Sequence, residues 1–261
     1  IEKDESTNIP IARASAKCWR SSWLMIGPHF ERVAGVQLRA GLQIMVQVHA
    51  QFHAQYGFSW IVDDINPEYT MGDMARKRHE IIAQLKAEGV FDLQRELHLP
   101  LFAQRIAVIS SASAAGYGDF CNQLYGNEYG FSFQTELFGA TMQGEHVEQS
   151  IVAALNEINE REDEFDCVVI IRGGGATADL SGFDTLVLAE NVANFPLPII
   201  TGIGHERDES ILDMVAHTRV KTPTAAAAFL IDHLDTTLHR IEQAQTSIQH
   251  IVEHTIQHEK L

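Results

Sequence analysis

Long apolar runs are missing from this chain. No stretch of about eighteen apolar residues occurs, so no transmembrane helix is expected. No basic start leads into an apolar segment, so no signal peptide is expected. Cysteine is scarce: Cys18, Cys121 and Cys167 are odd in number, scattered and without metal-ligand spacing. They are expected to be packing residues of a cytoplasmic protein in a reducing setting. Positive charge is also short, with 19 Lys and Arg against 35 Asp and Glu and a net charge of −16. That balance disfavours a surface that coats nucleic acid generally, and would leave any such contact to a local basic track. The dinucleotide pattern G-x-G-x-x-G is absent too, so that fingerprint is unsupported. The chain is rich instead in apolar residues, 45% over 261 positions, enough for one or two domains with a sizeable core. It opens at Ile1, in mid-pattern with IEKDES, and is expected to be a processed product or a fragment.

The most informative segment is 168–179, VVIIRGGGATAD. Its short β-branched run predicts a strand buried on both faces, as in a parallel sheet. Arg172 stands at the carboxyl end of that strand, where open α/β sheets bind ligands, and a guanidinium fork suits a phosphate. Gly173, Gly174 and Gly175 let the backbone turn and bring N–H groups close to a ligand. The plainer alternative is a tight turn with a salt-bridged arginine.

Two further segments repeat the plan. In 197–213, LPIITGIGHERDESILD, a short strand at Ile199 and Ile200 leads through Gly202 and Gly204 into His205, Glu206 and Asp208. If a helix starts there, His205 and Asp208 share a face, and the pair has the ingredients of a proton carrier with an orienting carboxylate. A capping or carbonyl-bonded histidine is the alternative. In 105–119, RIAVISSASAAGYGD, a strand over 106–109 runs into a small-residue loop, and Asp119 is read as opening the following helix. N–H groups at such a helix start attract anions, and Ser110, Ser111 and Ser113 could add hydroxyl donors. For Asp119 an ordinary N-cap is the alternative.

The rest of the chain frames this core. Residues 1–66 read as β, with apolar positions alternating from Leu42 to Phe52 and a second strand over 58–62. Trp19, Trp23, Tyr56 and Trp60 are candidate base-stacking platforms, but each is read as core. A helix is predicted from Gly72–Asp73, stopped at Gly89, and a crossover helix over 151–158. Pro196, Pro198 and Pro223 punctuate loops. From 231 the apolar spacing alternates between three and four, through Ile231, Leu234, Leu238, Ile241, Ile248 and Val252. That is a heptad seam or one side of a helical hairpin arm. The tail histidines, His233, His239, His250, His254 and His258, read as a solvated face.

Five co-linear segments resemble the exodeoxyribonuclease VII large-subunit family. They are RKRHEIIAQLKAEGVFD (76–92), SSASAAGYGDF (110–120), RGGGATADL (172–180), GIGHERD (202–208) and LDMVAHTRVKTPTAAA (212–227), within a similar region spanning 67–230. Three departures stand out. The family's Ser-x-Glu-Asp-Leu is here Ala176-Thr177-Ala178-Asp179-Leu180. Its Thr-Gly-Ala-Ala is Ser113-Ala114-Ala115-Gly116-Tyr117-Gly118. Its Ala-Pro-Thr-Pro is Val220-Lys221-Thr222-Pro223.

The resemblance implies an α/β fold in three parts. A partial OB-fold barrel over 1–66, with an edge open to another chain or copy, precedes a parallel-sheet, Rossmann-like catalytic core over 67–228. The start of a coiled-coil arm, to which small subunits attach, follows over 229–261. The implied activity is hydrolysis of single-stranded DNA from its ends, with Asp119, Arg172, His205 and Asp208 catalytic. Gly173, Gly174, Gly175, Ser110, Ser111 and Lys221 would hold substrate. A basic track would run through Arg76, Lys77, Arg78, Arg172, Arg207, Arg219 and Lys221. Asp119, Asp179, Asp208 and Asp213 could gather Mg²⁺, but a metal-independent route is expected, and no tightly held cofactor. Two rivals stand beside this reading: an α/β enzyme for a small phosphorylated ligand, and a non-catalytic DNA-binding or assembly subunit.

Overall fold

The computed structural model describes residues 2–3, 10–12, 14–55, 57–173, 180–204 and 209–259. They fall into two compact units, divided within one long helix near residue 80.

In the first unit, β1 (Glu2–Lys3) pairs antiparallel with β2 (Pro10–Ala12). β3 (Ala16–Lys17) is followed by α1 (Arg20–Ala34), β4 (Met45–His53) and β5 (Gly57–Asn66). β4 and β5 form the antiparallel hairpin that the alternation predicts, with β3 parallel to β5 on its other side. The described residues therefore give an open three-stranded sheet with β4 at an edge.

Helix α1 corrects the all-β reading of this section. Gly27 and Pro28 look like breakers in the sequence, yet both lie inside the helix. Ile26 and Phe30, four apart, turn one face into a small core with Val36, Val62 and Ile65, and this packing overrides the local signal. Gly35 ends the helix in the left-handed region, at φ 72°. The tryptophans are corrected as well. Trp19, Trp23 and Trp60 are 58%, 42% and 37% exposed rather than core; Tyr56 lies outside the described residues. Trp60 meets Phe58 edge to face, with centroids 5.1 Å apart.

Helix α2 (Pro67–Ala87) starts at a proline, five residues before the predicted start, because proline's fixed φ and missing N–H suit the first helical position. Gly89 follows its end at φ 74°.

In the second unit come α3 (Leu93–Glu96), β6 (Arg105–Ser110), α4 (Ala115–Tyr125), β7 (Gln134–Gly139), α5 (Val147–Asn159) and β8 (Cys167–Ile171). Then follow α6 (Leu186–Ala193), β9 (Ile199–Gly202), α7 (Ile211–Val215), β10 (Thr218–Arg219) and α8 (Pro223–Glu259). The five strands form one parallel sheet in the order β10-β9-β8-β6-β7. The α/β fold with a parallel sheet thus matches the expectation.

Strand alternation divides the core in two. Ala107, Ile109, Val168, Ile170 and Ile199 pack under α5, α6 and α7. Ile106, Val108, Cys167, Val169, Ile171 and Ile200 pack under α4 and the first turns of α8. Cys167 to Ile171 are all fully buried, as the apolar run predicts, at about 1.5–3 kcal/mol per large aliphatic side chain. Burial pushes the Cys167 thiol pKa far up, so it stays protonated. No described cysteine forms a disulfide.

Two polar clasps hold the amino edge of the sheet. Asp166 accepts from the backbone N–H groups of Gln104 and Arg105 and from the Arg105 guanidinium, tying the starts of β6 and β8 together. Gln94 is fully buried; it donates to the carbonyls of Phe195 and Leu197 and accepts from the Ile199 N–H. It thereby satisfies the backbone of a segment whose prolines, Pro196 and Pro198, cannot donate.

Of the heptad positions, Ile231 and Leu234 are buried against the sheet. The exposed apolar stripe begins at Leu238 and continues through Ile241, Ile248, Ile251 and Val252. His233 Nε2 donates to Pro100 O at 2.7 Å, so this histidine serves the core. No described helix is long and apolar enough to cross a membrane.

Candidate active site at the carboxyl edge of the sheet

Counted within the sheet, the strand order is 2-1-3-4-5. The winding reverses between β6 and β8, and the crevice outside their carboxyl ends is where doubly wound sheets bind ligands. Ser110 ends β6, and Arg172 directly follows β8. The fold therefore brings Ser110, Ser111, Arg172 and Gly173 to adjacent strand ends at that point. Lys221, in the loop between β10 and α8, stands at the same edge and is exposed.

Arg172 is only 5% exposed, and its Nε and Nη1 atoms are shut off from solvent. Its N–H extends the ladder to Gly202 O at 3.4 Å. Ser110 is fully buried, and among the described residues its Oγ has no hydrogen-bond partner. Ser111 Oγ lies 3.2 Å from Ser113 Oγ.

Two glycines allow this closeness. A Cβ on Gly116 would stand 2.9 Å from Gly173 Cα and 3.0 Å from Arg172 O. A Cβ on Gly173 would stand 3.0 Å from Ala114 Cβ. The first turn of α4 thus rests on the backbone leaving β8, with no room for a side chain between.

Helix α4 starts at Ala115, with Ala114 as N-cap, so Asp119 does not open it. Asp119 lies in the second turn and is exposed. The sequence reading placed the start too late because no capping side chain marks it. The helix after β9 also starts later than expected, at Ile211 with Ser210 as N-cap. His205, Glu206, Arg207 and Asp208 lie outside the described residues, as do Gly174, Gly175 and Asp179.

The frame of that loop is described. Asp213 accepts from Thr201 Oγ at 2.7 Å, and from Ser210 N–H and Oγ–H at 3.1 and 2.8 Å. Its own N–H donates back to Ser210 Oγ, completing a capping box. Asp213 is thereby committed to joining the end of β9 to the start of α7, which removes it from the four aspartates that could gather Mg²⁺. The spacing Ser210-x-x-Asp213 is the sequence sign of such a box; Thr201 carries no comparable sign. Among the described residues no cluster of His, Cys, Asp and Glu is arranged to hold a metal.

Three of the seven residues of the expected basic track are paired with acids. Arg76 pairs with Asp73 and Glu80, Lys77 with Asp73, and Arg219 with Glu209. Two surface clefts, one lined by Asn156, Asn159, Asn191 and Asn194, the other by His98, Arg105 and Asp166, include no candidate residue.

The geometry defines a class: a doubly wound parallel α/β protein whose switch point gathers a buried guanidinium, serine hydroxyls and a closely seated helix start, a set suited to an anion. Comparison with known proteins makes this specific. The sequence profile of the family described as exonuclease VII, large subunit, matches residues 90–261. The chain belongs to that family. It is 40% identical over 225 residues to the exodeoxyribonuclease 7 large subunit of Deinococcus radiodurans, covering 85% of this chain and 54% of that protein. It is 37% identical over 186 residues to the namesake from Nostoc sp., covering 71% and 44%. With that of Lactobacillus helveticus it shares 30% over 226 residues, covering 86% and 50%. The chain spans about half the length of these relatives.

Proposed function

We propose that this chain carries the catalytic core of an exodeoxyribonuclease VII large subunit. It acts in the cytoplasm, hydrolysing phosphodiester bonds of single-stranded DNA from its ends to short oligonucleotides and 5′-phosphomononucleotides. The observation that carries this reading is the meeting of Ser110, Arg172 and Gly173 at the switch point of a sheet in a chain of this family.

Arg172 binds the scissile phosphate and stabilises the charge that builds on its oxygens. His205 moves a proton, from the attacking water or to the leaving oxygen, and Asp208 orients the imidazole and supports its charged form. Asp119 positions water or the second proton carrier. Gly173, Gly174 and Gly175 offer backbone N–H groups, and Ser110, Ser111 and Lys221 hold flanking parts of the strand. No tightly held metal is required: Arg172 and His205 supply charge stabilisation and proton transfer, and Asp213 is committed to its capping box.

In this reading, residues 1–66 are part of an OB-fold that presents aromatics to single strands, residues 67–228 the catalytic core, and residues 229–261 the start of a coiled-coil arm that receives small subunits. The exposed stripe from Leu238 to Val252 supports the arm, and the exposure of Trp19, Trp23 and Trp60 supports the first assignment.

The test incubates labelled single-stranded and duplex DNA with the chain, alone and with an exonuclease VII small subunit, with and without chelator. Loss of the single strand only, surviving chelator and abolished by Arg172→Ala or His205→Ala, is the expected result. Near-normal turnover by His205→Ala refutes the proton-transfer role. Activity lost in chelator and restored by Mg²⁺ refutes the metal-free route.

A further inference from the structure

We infer that the β6–α4 loop and the amino end of α4 form a second phosphate subsite, separate from Arg172, that holds the phosphate next to the one being cleaved. The inference rests on the nuclease reading above and narrows its substrate to a strand presenting two successive phosphates.

Ser110 carries the argument. It is fully buried, and among the described residues its Oγ has no hydrogen-bond partner. A buried hydroxyl without a partner carries a desolvation penalty that a ligand oxygen accepting its proton would offset. Its direction follows from the strand. Ile106 and Val108 face the α4 and α8 layer, and Ser110 continues that alternation at the end of β6. It therefore heads to the side where α4 begins.

The helix start is a second, independent feature. The first N–H groups of a helix lack intrahelical partners, and the dipole favours an anion there. Ser, Thr, Asp or Asn ordinarily occupies the N-cap; α4 has Ala114, with no side-chain cap. Gly116 and Gly173 bring this turn against the β8 exit, and a Cβ on Gly116 would also stand 2.9 Å from Pro223 Cγ. Because no side chain fits between this turn and the β8 exit, the phosphate cradle is the exposed amino end of the turn, at Ala115, and not the gap between the two backbones.

Alternation also separates this cradle from the guanidinium. Ile109 pairs with Ile170, which puts Ser110 opposite Ile171, and both face the α4 side. Arg172 directly follows β8, and the alternation carried one residue further sends its side chain toward the other face. One phosphate cannot serve both; two successive phosphates of one strand can.

Isothermal titration of the 261-residue chain with thymidine 5′-monophosphate and thymidine 3′,5′-bisphosphate tests this. The bisphosphate is expected to bind about tenfold tighter, the scale of one charge-assisted hydrogen bond with helix-end support. Ser110→Ala is expected to bring the ratio toward one, keep monophosphate affinity and leave the melting temperature unchanged or raised. A ratio near one in the unaltered chain, a ratio untouched by Ser110→Ala, or binding of neither nucleotide overturns the subsite. The DNA assay separates the two readings. Cleavage without bisphosphate preference sinks the subsite alone. A preference abolished by Ser110→Ala, without cleavage, upholds the subsite and sinks the nuclease reading.

Discussion

At the scale of single residues, the polar side chains at the two edges of the sheet do different work. Gln94 and Asp166 close hydrogen bonds that the backbone cannot close itself, and both have readable consequences. Gln94→Ala leaves the Ile199 N–H and the Phe195 and Leu197 carbonyls in a dry site. Urea denaturation should show a loss of at least about 3 kcal/mol, since three groups are left unsatisfied and each costs about 1–3; a loss under about half a kilocalorie would mean water reaches the segment. For Asp166, burial pushes the carboxyl pKa up, but the Arg105 side chain and the Arg105 and Gln104 N–H groups outweigh it and hold it below the ordinary carboxylate value. A carboxylate with a depressed folded-state pKa contributes stability above the unfolded pKa, about 3.9, and loses it as pH falls through the folded value. Asp166→Asn should therefore be less stable than the parent at neutral pH, with the gap narrowing below about pH 4. A gap that is constant down to pH 2 would show that the ion pair is not its cause.

At the scale of elements, close packing of α4 on the β8 exit governs the site. Gly116→Ala places a methyl group 2.9 Å from Gly173 Cα and 3.0 Å from Arg172 O, and backbone cannot swing aside. A melting-temperature drop equivalent to about 1–3 kcal/mol is expected, together with weaker nucleotide binding; an unchanged melt would mean α4 shifts freely. Helix α8 divides at Leu238 into a packed half and an exposed half. Leu230→Ala should cost about 2–5 kcal/mol, whereas Ile248→Ala in the isolated chain should stay within about 0.5. Equal effects would mean the distal stripe is covered. These elements also show what was legible in the sequence. β8 was readable because five fully buried residues leave no polar alternation, and its arginine marks the strand end. The α8 periodicity was readable, but not where the helix leaves the sheet, because Ile231 and Ile241 carry the same pattern and differ only in what lies beside them. α1 was hidden by Gly27 and Pro28, and the start of α4 by its alanine cap. The Ser110–Arg172 neighbourhood depends on the crossing of strands 62 residues apart in sequence, which no local pattern contains.

At the scale of the whole molecule, charge decides how DNA can be held. The net charge of −16 repels a polyanion, and three of the seven family-like basic residues are paired with acids. Arg76, Lys77 and Arg219 are spent on Asp73, Glu80 and Glu209. If the other four of the seven, Arg78, Arg172, Arg207 and Lys221, each met a phosphate, the count of contacts would be four. Binding of single strands releases counterions with a slope of about −0.7 per neutralised phosphate in a plot of log affinity against log salt. The slope for this chain should therefore be no steeper than about −3, whereas the full set of seven basic residues would give about −5. Lys221→Ala should flatten it by about 0.7 and weaken binding evenly across sequences, as expected of a contact to the backbone rather than to bases. Fluorescence anisotropy of a labelled oligonucleotide from low to physiological salt measures both. A slope near −5 would mean that the ion pairs on α2 and beside α7 open when DNA arrives. The acidic surface would then act as a competitor that the strand displaces, and Asp73→Asn would tighten binding; with a slope of −3 or shallower the same substitution should leave affinity almost unchanged.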